Sequence, residues 1–581
     1  MLNANWMTMT LCLLAACAQA GAAAPLHADV VIYGGTPGGL AAAAAVVREG
    51  ATVIVVEPTS HIGGMVTGGI AITDTGTPEL VGGLAAEYFD AVASQENTGQ
   101  QSPPVLLSRG REYKWRTPAK WDIEPKLAKQ VFEKWVKDLR FQLLLAKRVE
   151  SVGKKGPRIV SMRLTDGAEI TGAVFIDASY EGDLMARAGV SNTYGRESGA
   201  QYGEKLAGVR EPHFVRNYTE EQYATPTIEY MHHGQWGADI PVRDGAGKLL
   251  WGIDDSPLGE IGSADKRIQA FCYRLIATQR PEIKAAWPKP KHDHPARYEL
   301  LLRYIQAHPG ITFARLVHLG AIPNGKFDLN ASGPFSIDYV DGNRGYPAAG
   351  YAERDRMLQD HEDYEKGFLW FLAHDPRVPK ALRDEANTWG LASDEFVDNN
   401  YWPTQIYVRE SRRMIGQYVM SEKDVVEQQT KEDSMGMGSF VLDSHWVRRI
   451  VNSQGFVRVE GHLDESIVLA RKPYEIPYRS LIPKSEECGN LLVPVCVSAT
   501  HVAICTIRME PVYMILGHSA GVAAVMALRS GKTVQQIDVA ALTQKLEAQK
   551  QVLHKSQRRY TPTVTIPSGS LQDISPQRDK S

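Results

Sequence analysis

Three residues of this sequence are candidates for moving a proton or stabilising charge during a reaction: His501, Arg508 and Arg409. Histidine titrates near neutral pH and can act as a base. Arginine stays protonated, so it can bind an anionic group or stabilise negative charge that develops in a reaction. Each residue also has a structural explanation: a hydrogen-bonded histidine, an ion pair of Arg508 with a carboxylate such as Glu510, and an exposed charge run around Arg409. The sequence leaves both interpretations open.

Other polar residues follow alternating patterns. If the chain around Arg409 is a strand, Arg409 and Arg413 share one face and Arg412 takes the other. Four residues in the middle of the chain alternate in the same way, and they either line a pocket for a sugar-like substrate or form a polar loop: Asn324, Lys326, Asp328 and Asn330. The cysteines lack the spacing of metal-binding pairs, and we predict no metal site.

These side chains need elements to position them, and the clearest element is a glycine turn between a predicted strand and an alanine-rich predicted helix. The strand is 29–33, the helix is 40–47, and the turn consists of Gly34, Gly35, Thr36, Pro37, Gly38 and Gly39. In a dinucleotide fold, Gly34 allows the tight turn, Gly39 lets the helix pack on the strand, and the helix N-terminus attracts a pyrophosphate. Thr36 replaces the second glycine of the pattern. Its side chain narrows the approach, although its hydroxyl can bond the pyrophosphate.

A second predicted strand, 52–56, ends at Glu57, which is followed by Pro58. Glu57 comes 23 residues after Gly34, close to the separation expected for a carboxylate that binds a ribose. The next segment, 61–69, contains Gly63, Gly64 and Met65, and its glycines allow a close approach of the backbone to a cofactor. This loop favours FAD over NAD, because an NAD domain continues into another βαβ unit. A glycine-rich turn without a ligand is the alternative.

The segments YGGTPGGLAAA, VIVVEP and HIGGMVTGG together resemble bacterial FAD-dependent oxidoreductases of the glutathione-reductase-like superfamily. Within it, they resemble an exported branch often labelled xanthan lyase. Similar blocks follow at 175–184, 407–416, 433–438, 476–483 and 516–521, so the resemblance involves about two thirds of the chain. It implies a contact between the Val149 backbone and the adenine. The small residues at Ala178, Gly517, Ala520 and Gly521 predict further contacts with FAD, the last three at a helix start.

The predicted fold is α/β, with a Rossmann-like FAD-binding domain that is discontinuous in sequence and an inserted α+β substrate domain. The FAD-binding domain comprises residues 28–200 and 476–545, and the substrate domain 201–475. Residues 1–27 are predicted to be a signal or lipoprotein signal peptide, and 546–581 a polar, loosely ordered tail.

Composition excludes several classes of protein. The chain has 581 residues, of which 43% are hydrophobic and 23% charged, as in globular proteins. A net charge of −3 gives no electrostatic reason to bind nucleic acid. We predict no transmembrane helix, because no later stretch approaches 18 uninterrupted apolar residues. The four cysteines after the signal segment are expected to be small buried side chains, with one disulfide as an alternative.

The N-terminal segment predicts export. It contains a short apolar run, an A-x-A cleavage pattern at 18–20 and a lipoprotein pattern ending at Cys17. The protein is therefore expected to be periplasmic or secreted, either soluble or anchored by a lipid at Cys17. A buried N-terminal helix is the alternative.

The predicted function is that of an FAD-dependent oxidoreductase, a dehydrogenase or an oxidase. Its flavin would accept a hydride from a small hydroxylated, sugar-like or polyol-like substrate and pass electrons to an acceptor that the sequence does not identify. The alternative is a carbohydrate-active lyase or a polysaccharide-binding protein, which would leave the glycine turn and Glu57 unexplained.

Overall fold

The computed structural model describes residues 25–96, 105–107, 111–113, 121–212, 238–427, 429–463 and 473–557. In chain order the strands are β1 Leu26–Tyr33, β2 Val53–Val56, β3 Val105–Leu107, β4 Arg111–Tyr113, β5 Gln142–Leu144, β6 Val149–Lys155, β7 Arg158–Leu164, β8 Glu169–Asp177, β9 Asn192–Thr193, β10 Leu275–Thr278, β11 Lys284–Ala285, β12 Val317–Ile322, β13 Lys326–Ala331, β14 Gly390–Ala392, β15 Arg413–Met414, β16 Ser434–Gly438, β17 Arg448–Val451, β18 Val457–Glu460, β19 Tyr474–Pro477 and β20 Leu491–Leu492. The helices are α1 Pro37–Arg48, α2 Gly64–Gly68, α3 Gly83–Glu96, α4 Pro125–Leu139, α5 Asp183–Arg187, α6 Gly199–Tyr202, α7 Glu299–Ala307, α8 Phe313–Leu316, α9 Tyr351–His374, α10 Lys380–Thr388, α11 Glu422–Glu427, α12 His501–Ile507, α13 Glu510–Ser530 and α14 Val539–Ala548.

The first sheet has the order β5-β2-β1-β8-β7-β6, and β20 also pairs with β8. Strands β1, β2, β5, β8 and β20 run parallel, whereas β6 and β7 form an antiparallel extension. The central β1 is apolar and almost fully buried from Val30 to Tyr33, as expected for a parallel strand covered on both faces. Its first residues, Leu26 and His27, fall within the predicted signal segment and pair with β8, and the boundary of that segment stays a prediction.

Helices α1 and α13 pack against each other beside the first sheet. Their contact is close because small residues face one another: a Cβ atom on Gly521 would lie 2.5 Å from the Ala42 carbonyl oxygen. Among the described residues, α13 is long and apolar enough to cross a membrane, but 89% of its apolar window is buried inside the protein. It serves here as a core helix.

A second sheet lies in the inserted part of the chain. It is antiparallel, with the order β11-β14-β10-β13-β12. Its strands fall between residues 275 and 392, whereas those of the first sheet come from 26–177 and 491–492. The predicted fold class, a discontinuous α/β domain with an α+β insertion, is confirmed. The exact domain boundaries stay a prediction.

The end of the described chain is packed, not loose. Gln551 is buried, and its side-chain amide donates to the carbonyl oxygens of Met435 at 2.6 Å and Ile515 at 3.2 Å. The Ser434 hydroxyl donates to the Leu553 carbonyl at 2.7 Å. The prediction of a tail starting at residue 546 is therefore wrong up to residue 557, and residues 558–581 lie outside the described part.

The cysteines of the described residues are all buried, and none of them is in a disulfide: Cys272, Cys488, Cys496 and Cys505. Their burial agrees with the predicted role as small apolar side chains. Cys17 and the rest of residues 1–24 lie outside the described residues.

Candidate active site

The glycine turn between β1 and α1 is as tight as its sequence predicts. Gly34 has a φ of +109°, and a Cβ atom on it would lie 2.5 Å from the Ser179 nitrogen. A Cβ atom on Gly39 would overlap the Gly34 carbonyl oxygen, so Gly39 lets the helix meet the end of the strand. This geometry directs the N-terminus of α1, the positive end of its dipole, towards the carboxyl edge of the sheet.

Thr36 caps this helix. Its hydroxyl donates to the Ala178 carbonyl at 2.8 Å and accepts from the Gly39 N–H at 3.2 Å. Pro37 is the first helical residue, where its missing N–H costs nothing. We expected the Thr36 side chain to narrow the approach to the pyrophosphate or its hydroxyl to bond the pyrophosphate. In the structure this hydroxyl is hydrogen-bonded to protein groups. Ala178 contributes its carbonyl oxygen to the same turn.

Glu57 lies beside the turn, at the carboxyl end of β2, and is 6% exposed. Its carboxylate accepts from the N–H of Gly35 at 2.7 Å and from the N–H and hydroxyl of Thr59, both at 2.7 Å. Burial raises the pKa of Glu57 to about 7, against the opposing effect of these hydrogen bonds. A carboxylate has about four acceptor positions, so one remains for a ribose hydroxyl.

A cleft opens at this edge, between the first domain and the inserted part of the chain. One wall comes from the first domain and includes Gly34, Thr36, Glu57, Pro58, His61, Gly64 and Arg148; the other comes from the inserted part and includes Tyr273, Tyr346, Tyr351, Thr404 and Gln405. The Thr404 hydroxyl is buried and has no hydrogen-bond partner among the described residues. The helix N-terminus, the ribose carboxylate and an unused buried hydroxyl in one cleft fit a bound dinucleotide such as FAD.

The segment after Glu57 is a short helix, α2, and not the predicted loop. The glycines that precede and begin it face protein atoms: a Cβ atom on Gly63 would overlap the Thr67 side chain, and one on Gly64 would overlap the Tyr180 hydroxyl. That hydroxyl accepts from the Met65 N–H at 3.0 Å and donates to Glu510 at 2.7 Å. Of the three predicted cofactor-binding residues here, only Gly64 lines the cleft.

The prediction of a helix start at residues 516–521 is wrong. Helix α13 begins at Glu510, so the backbone amides of Gly517, Ala520 and Gly521 lie inside it and are used in helical hydrogen bonds. A Cβ atom on Gly517 would overlap the Gly38 carbonyl oxygen. These small residues permit packing against α1, which explains their type without a contact to the cofactor.

Val149, the predicted adenine contact, is buried and does not line the cleft, whereas its neighbour Arg148 does. Its N–H donates to the Tyr33 hydroxyl at 3.3 Å, and its carbonyl accepts from the Tyr351 hydroxyl at 2.8 Å. Arg148 lines the cleft and forms a two-pronged ion pair with Asp355, with both distances 2.7 Å. The backbone N–H and carbonyl of Val149 are thus both hydrogen-bonded to tyrosine hydroxyls. The contact of Val149 with adenine stays a prediction.

His501 is the first residue of α12 and is 1% exposed. Its Nδ1 lies 2.9 Å from the Glu410 carboxylate, whereas its Nε2 has no hydrogen-bond partner among the described residues. A histidine held at one nitrogen and unpaired at the other can transfer a proton. The sequence did not identify Glu410 as a partner of His501, because Glu410 stands out only as an acidic residue in a run of arginines.

Arg508 is buried at the end of α12. Its guanidinium donates to the Tyr407 hydroxyl at 2.7 Å and to the Asp443 carboxylate at 2.8 Å. The expected ion pair therefore exists, but with Asp443, since Glu510 bonds Tyr180. Burial raises the pKa of Tyr407 to about 12, although Arg508 opposes this shift, so Tyr407 stays protonated near neutral pH.

Arg409 corrects two expectations. It lies in an irregular segment, because only Arg413 and Met414 form a strand, so the predicted strand alternation is wrong. It is fully buried, so it does not belong to an exposed charge run. Its guanidinium pairs with Asp338 at 3.0 Å and donates to the Ala270 carbonyl. Arg409 thus joins parts of the inserted segment, and it does not line the cleft.

The alternating polar residues of the middle region do not line the cleft, and three of the four belong to a strand rather than a loop. Lys326, Asp328 and Asn330 are buried in β13, and Asn324 precedes it. The Lys326 ammonium contacts Glu124 and Glu395 at 2.5 Å and Asp394 at 3.1 Å. These three carboxylates are close enough to hold a metal ion, but Lys326 lies among them, and Lys126 also pairs with Glu124 and Asp394.

The chain is similar to parts of several solved structures. Among solved structures, a flavin-containing monooxygenase from Stenotrophomonas maltophilia is 16% identical, with 30% of this chain and 42% of that chain covered and a TM-score of 0.18. L-proline dehydrogenase from P. horikoshii is 16% identical, with 30% and 59% covered and a TM-score of 0.22. This chain thus matches less than two thirds of the length of either protein. No curated protein matches the sequence.

The family described as FAD dependent oxidoreductase matches residues 29–546, nearly the whole chain. The match includes the glycine turn, Glu57, the inserted sheet and His501. The chain therefore belongs to the FAD dependent oxidoreductase family, and its cofactor is FAD.

Proposed function

We propose that this enzyme oxidises a small hydroxylated compound, sugar-like or polyol-like. The observation that carries the proposal is the buried Nε2 of His501, which has no hydrogen-bond partner among the described residues and can accept the proton of a hydroxyl group. Loss of a hydroxyl proton to such a base, together with loss of a hydride from the same carbon, converts an alcohol to a carbonyl compound.

FAD supplies the hydride acceptor when it is bound. In the proposed reaction, His501 Nε2 takes the proton of the substrate hydroxyl, because this nitrogen is not otherwise bonded. Arg508, with Tyr407 beside it, stabilises the negative charge that develops on the substrate oxygen. Arg409 has a supporting role through Asp338 and makes no contact with the reacting groups.

The test is anaerobic mixing of the purified holoenzyme with sugars, polyols and amino acids while the flavin absorbance is followed. We expect bleaching by sugars or polyols and none by the matched deoxy compounds or by amino acids. Bleaching by amino acids alone would contradict the substrate class. A colourless protein that rejects added FAD and cleaves a polysaccharide would revive the lyase alternative, which family membership leaves without support. Reoxidation by air, a quinone or a redox protein then identifies the electron acceptor and separates oxidase from dehydrogenase.

We further propose that the protein is exported, and that it belongs to the branch labelled xanthan lyase within the glutathione-reductase-like superfamily. The support is the N-terminal sequence and the motifs around Gly34, Glu57 and His501. Mass spectrometry of the mature N-terminus tests export. An acylated Cys17 indicates a lipid anchor, cleavage after Ala20 a soluble protein, and an intact Met1 contradicts export.

A further inference from the structure

His501 is held from two directions by carboxylates. Its backbone N–H donates to Glu197 at 2.9 Å, and its Nδ1 faces Glu410 at 2.9 and 3.1 Å. Thr500 caps the helix that His501 begins by accepting from the Ala503 N–H. The ring is therefore fixed in place as well as buried.

Glu410 is surrounded by donors. The Gln269 N–H donates to one of its oxygens at 2.9 Å, and Arg413 lies 3.5 Å from the other. Burial alone would raise the pKa of Glu410, but His501 and Arg413 outweigh it and hold the pKa below its ordinary value. A charged carboxylate only accepts hydrogen bonds, so Nδ1 of His501 must carry a proton to bond it.

Arg413 connects the two carboxylates. Its guanidinium lies 2.6 Å from Glu197 as well as near Glu410, and it donates to the carbonyl oxygens of Gly195 at 2.6 Å and Ala499 at 3.0 Å. One arginine thus fixes both groups that hold the histidine. The other acid nearby, Glu204, bonds the Thr500 hydroxyl at 2.6 Å, and the Cys505 thiol donates to the His501 carbonyl.

We propose that Glu410, anchored by Arg413 and the Gln269 amide, is a positioning residue that keeps the proton of neutral His501 on Nδ1 and leaves Nε2 as the proton acceptor. The inference rests on the proposed function in assigning Nε2 a proton to accept. In neutral imidazole one nitrogen donates and the other accepts, so a fixed donor at Nδ1 fixes the acceptor at Nε2. In the proposed reaction, the substrate O–H bond would break and its proton would go to Nε2, while the C–H bond of the same carbon would break to give the hydride that bound FAD can accept, which leaves a carbonyl group.

The experiment is NMR spectroscopy at neutral pH of the holoenzyme and of its variants Glu410→Gln and Glu410→Asp, each labelled with ¹⁵N-histidine. The ¹⁵N signals of a histidine ring show which of its two nitrogens carries the proton. The His501 signals are identified as those missing in His501→Asn. We expect Nδ1–H with an unprotonated Nε2 in the parent and in Glu410→Asp. In Glu410→Gln we expect a mixture of tautomers, because the amide can donate as well as accept. Flavin content and melting temperature show that each variant is folded, and Glu169→Gln, at an exposed position, is the control.

A protonated Nε2 in the parent, or an unchanged tautomer in Glu410→Gln, would overturn the proposal. With a substrate that bleaches the flavin, we expect reduction to slow by about 10²–10⁴-fold in Glu410→Gln with little change in substrate affinity, and to recover partly in Glu410→Asp. If no hydroxylated compound bleaches the flavin, the proposed substrate class fails, whereas the NMR measurement needs no substrate and still decides the role of Glu410.

Discussion

Gly39 sits against the carbonyl oxygen of Gly34, so closely that any side chain on Gly39 would overlap that oxygen. We therefore expect Gly39→Val to separate α1 from the end of β1 and to abolish retention of FAD. The measurement is the ratio of flavin to protein after purification. Gly245→Val is the matched control, because a Cβ atom there meets nothing within 4 Å. Full flavin content in Gly39→Val would contradict the assigned turn.

The carboxylate of Glu57 gives a pH-dependent prediction for the apoprotein. Its pKa is about 7 in the folded protein, above its ordinary value of 4.5, because it is buried. Between these values the folded state binds more protons than the unfolded state, so the contribution of Glu57 to stability is lost as pH rises through this window. Glu57→Gln avoids this loss, so it should gain stability relative to the parent between pH 5 and pH 8, by at most about 3 kcal/mol.

Urea unfolding at the two pH values measures this difference, with Glu169→Gln as the exposed control. The same variant should bind FAD about 10–100-fold more weakly, since it loses a charged acceptor for the ribose. A stability difference that does not change with pH would show that Glu57 is not the titrating group.

Arg409 should matter for stability and not for chemistry. Replacing it by alanine leaves the buried Asp338 without its cation, and breaking a buried pair costs about 3–5 kcal/mol. Denaturant unfolding of Arg409→Ala tests this. Arg163→Ala, which breaks an exposed pair with Glu150, should cost less than about 1 kcal/mol. Normal stability combined with lost activity would instead make Arg409 catalytic.

His501 should be needed for reduction of the flavin and not for its retention. We expect His501→Asn to keep FAD, since His501 does not line the cleft, and to slow flavin reduction by about 10²–10⁴-fold. Stopped-flow measurement of flavin bleaching compares it with the parent, and His374→Asn, at an exposed position, is the control. Unchanged reduction kinetics would remove His501 from the mechanism.

The parts of the site that sequence could predict are local. The turn from Gly34 to Gly39 and the carboxylate at Glu57 depend on residues close together in the chain, and their pattern has a direct geometric meaning. The bond between Glu410 and His501 joins positions 91 residues apart, and that between Tyr180 and Glu510 joins positions 330 apart. Such pairings arise only from the tertiary fold, so one sequence gives no signal for them.

The same limit explains the misassigned glycines. Gly517 and Gly521 pack against α1, where a side chain would overlap the α1 backbone. In the sequence, a small residue that packs against a helix looks the same as one that contacts a cofactor. Arg409 was ambiguous for a similar reason, since a charge run carries no information about burial. Asp338, its partner, lies 71 residues away.

The contact between α1 and α13 determines when this enzyme can mature during synthesis. Residues 37–48 leave the ribosome early, but their packing partner, residues 510–530, emerges only near the end of translation. Strand β20, at 491–492, is also late. We therefore expect the nucleotide turn to be completed only after almost the whole polypeptide has been made, and truncated chains lacking the last quarter to fail to assemble it. Cofactor loading is then expected to be a late event. Through most of synthesis, α1 lacks its apolar packing partner α13.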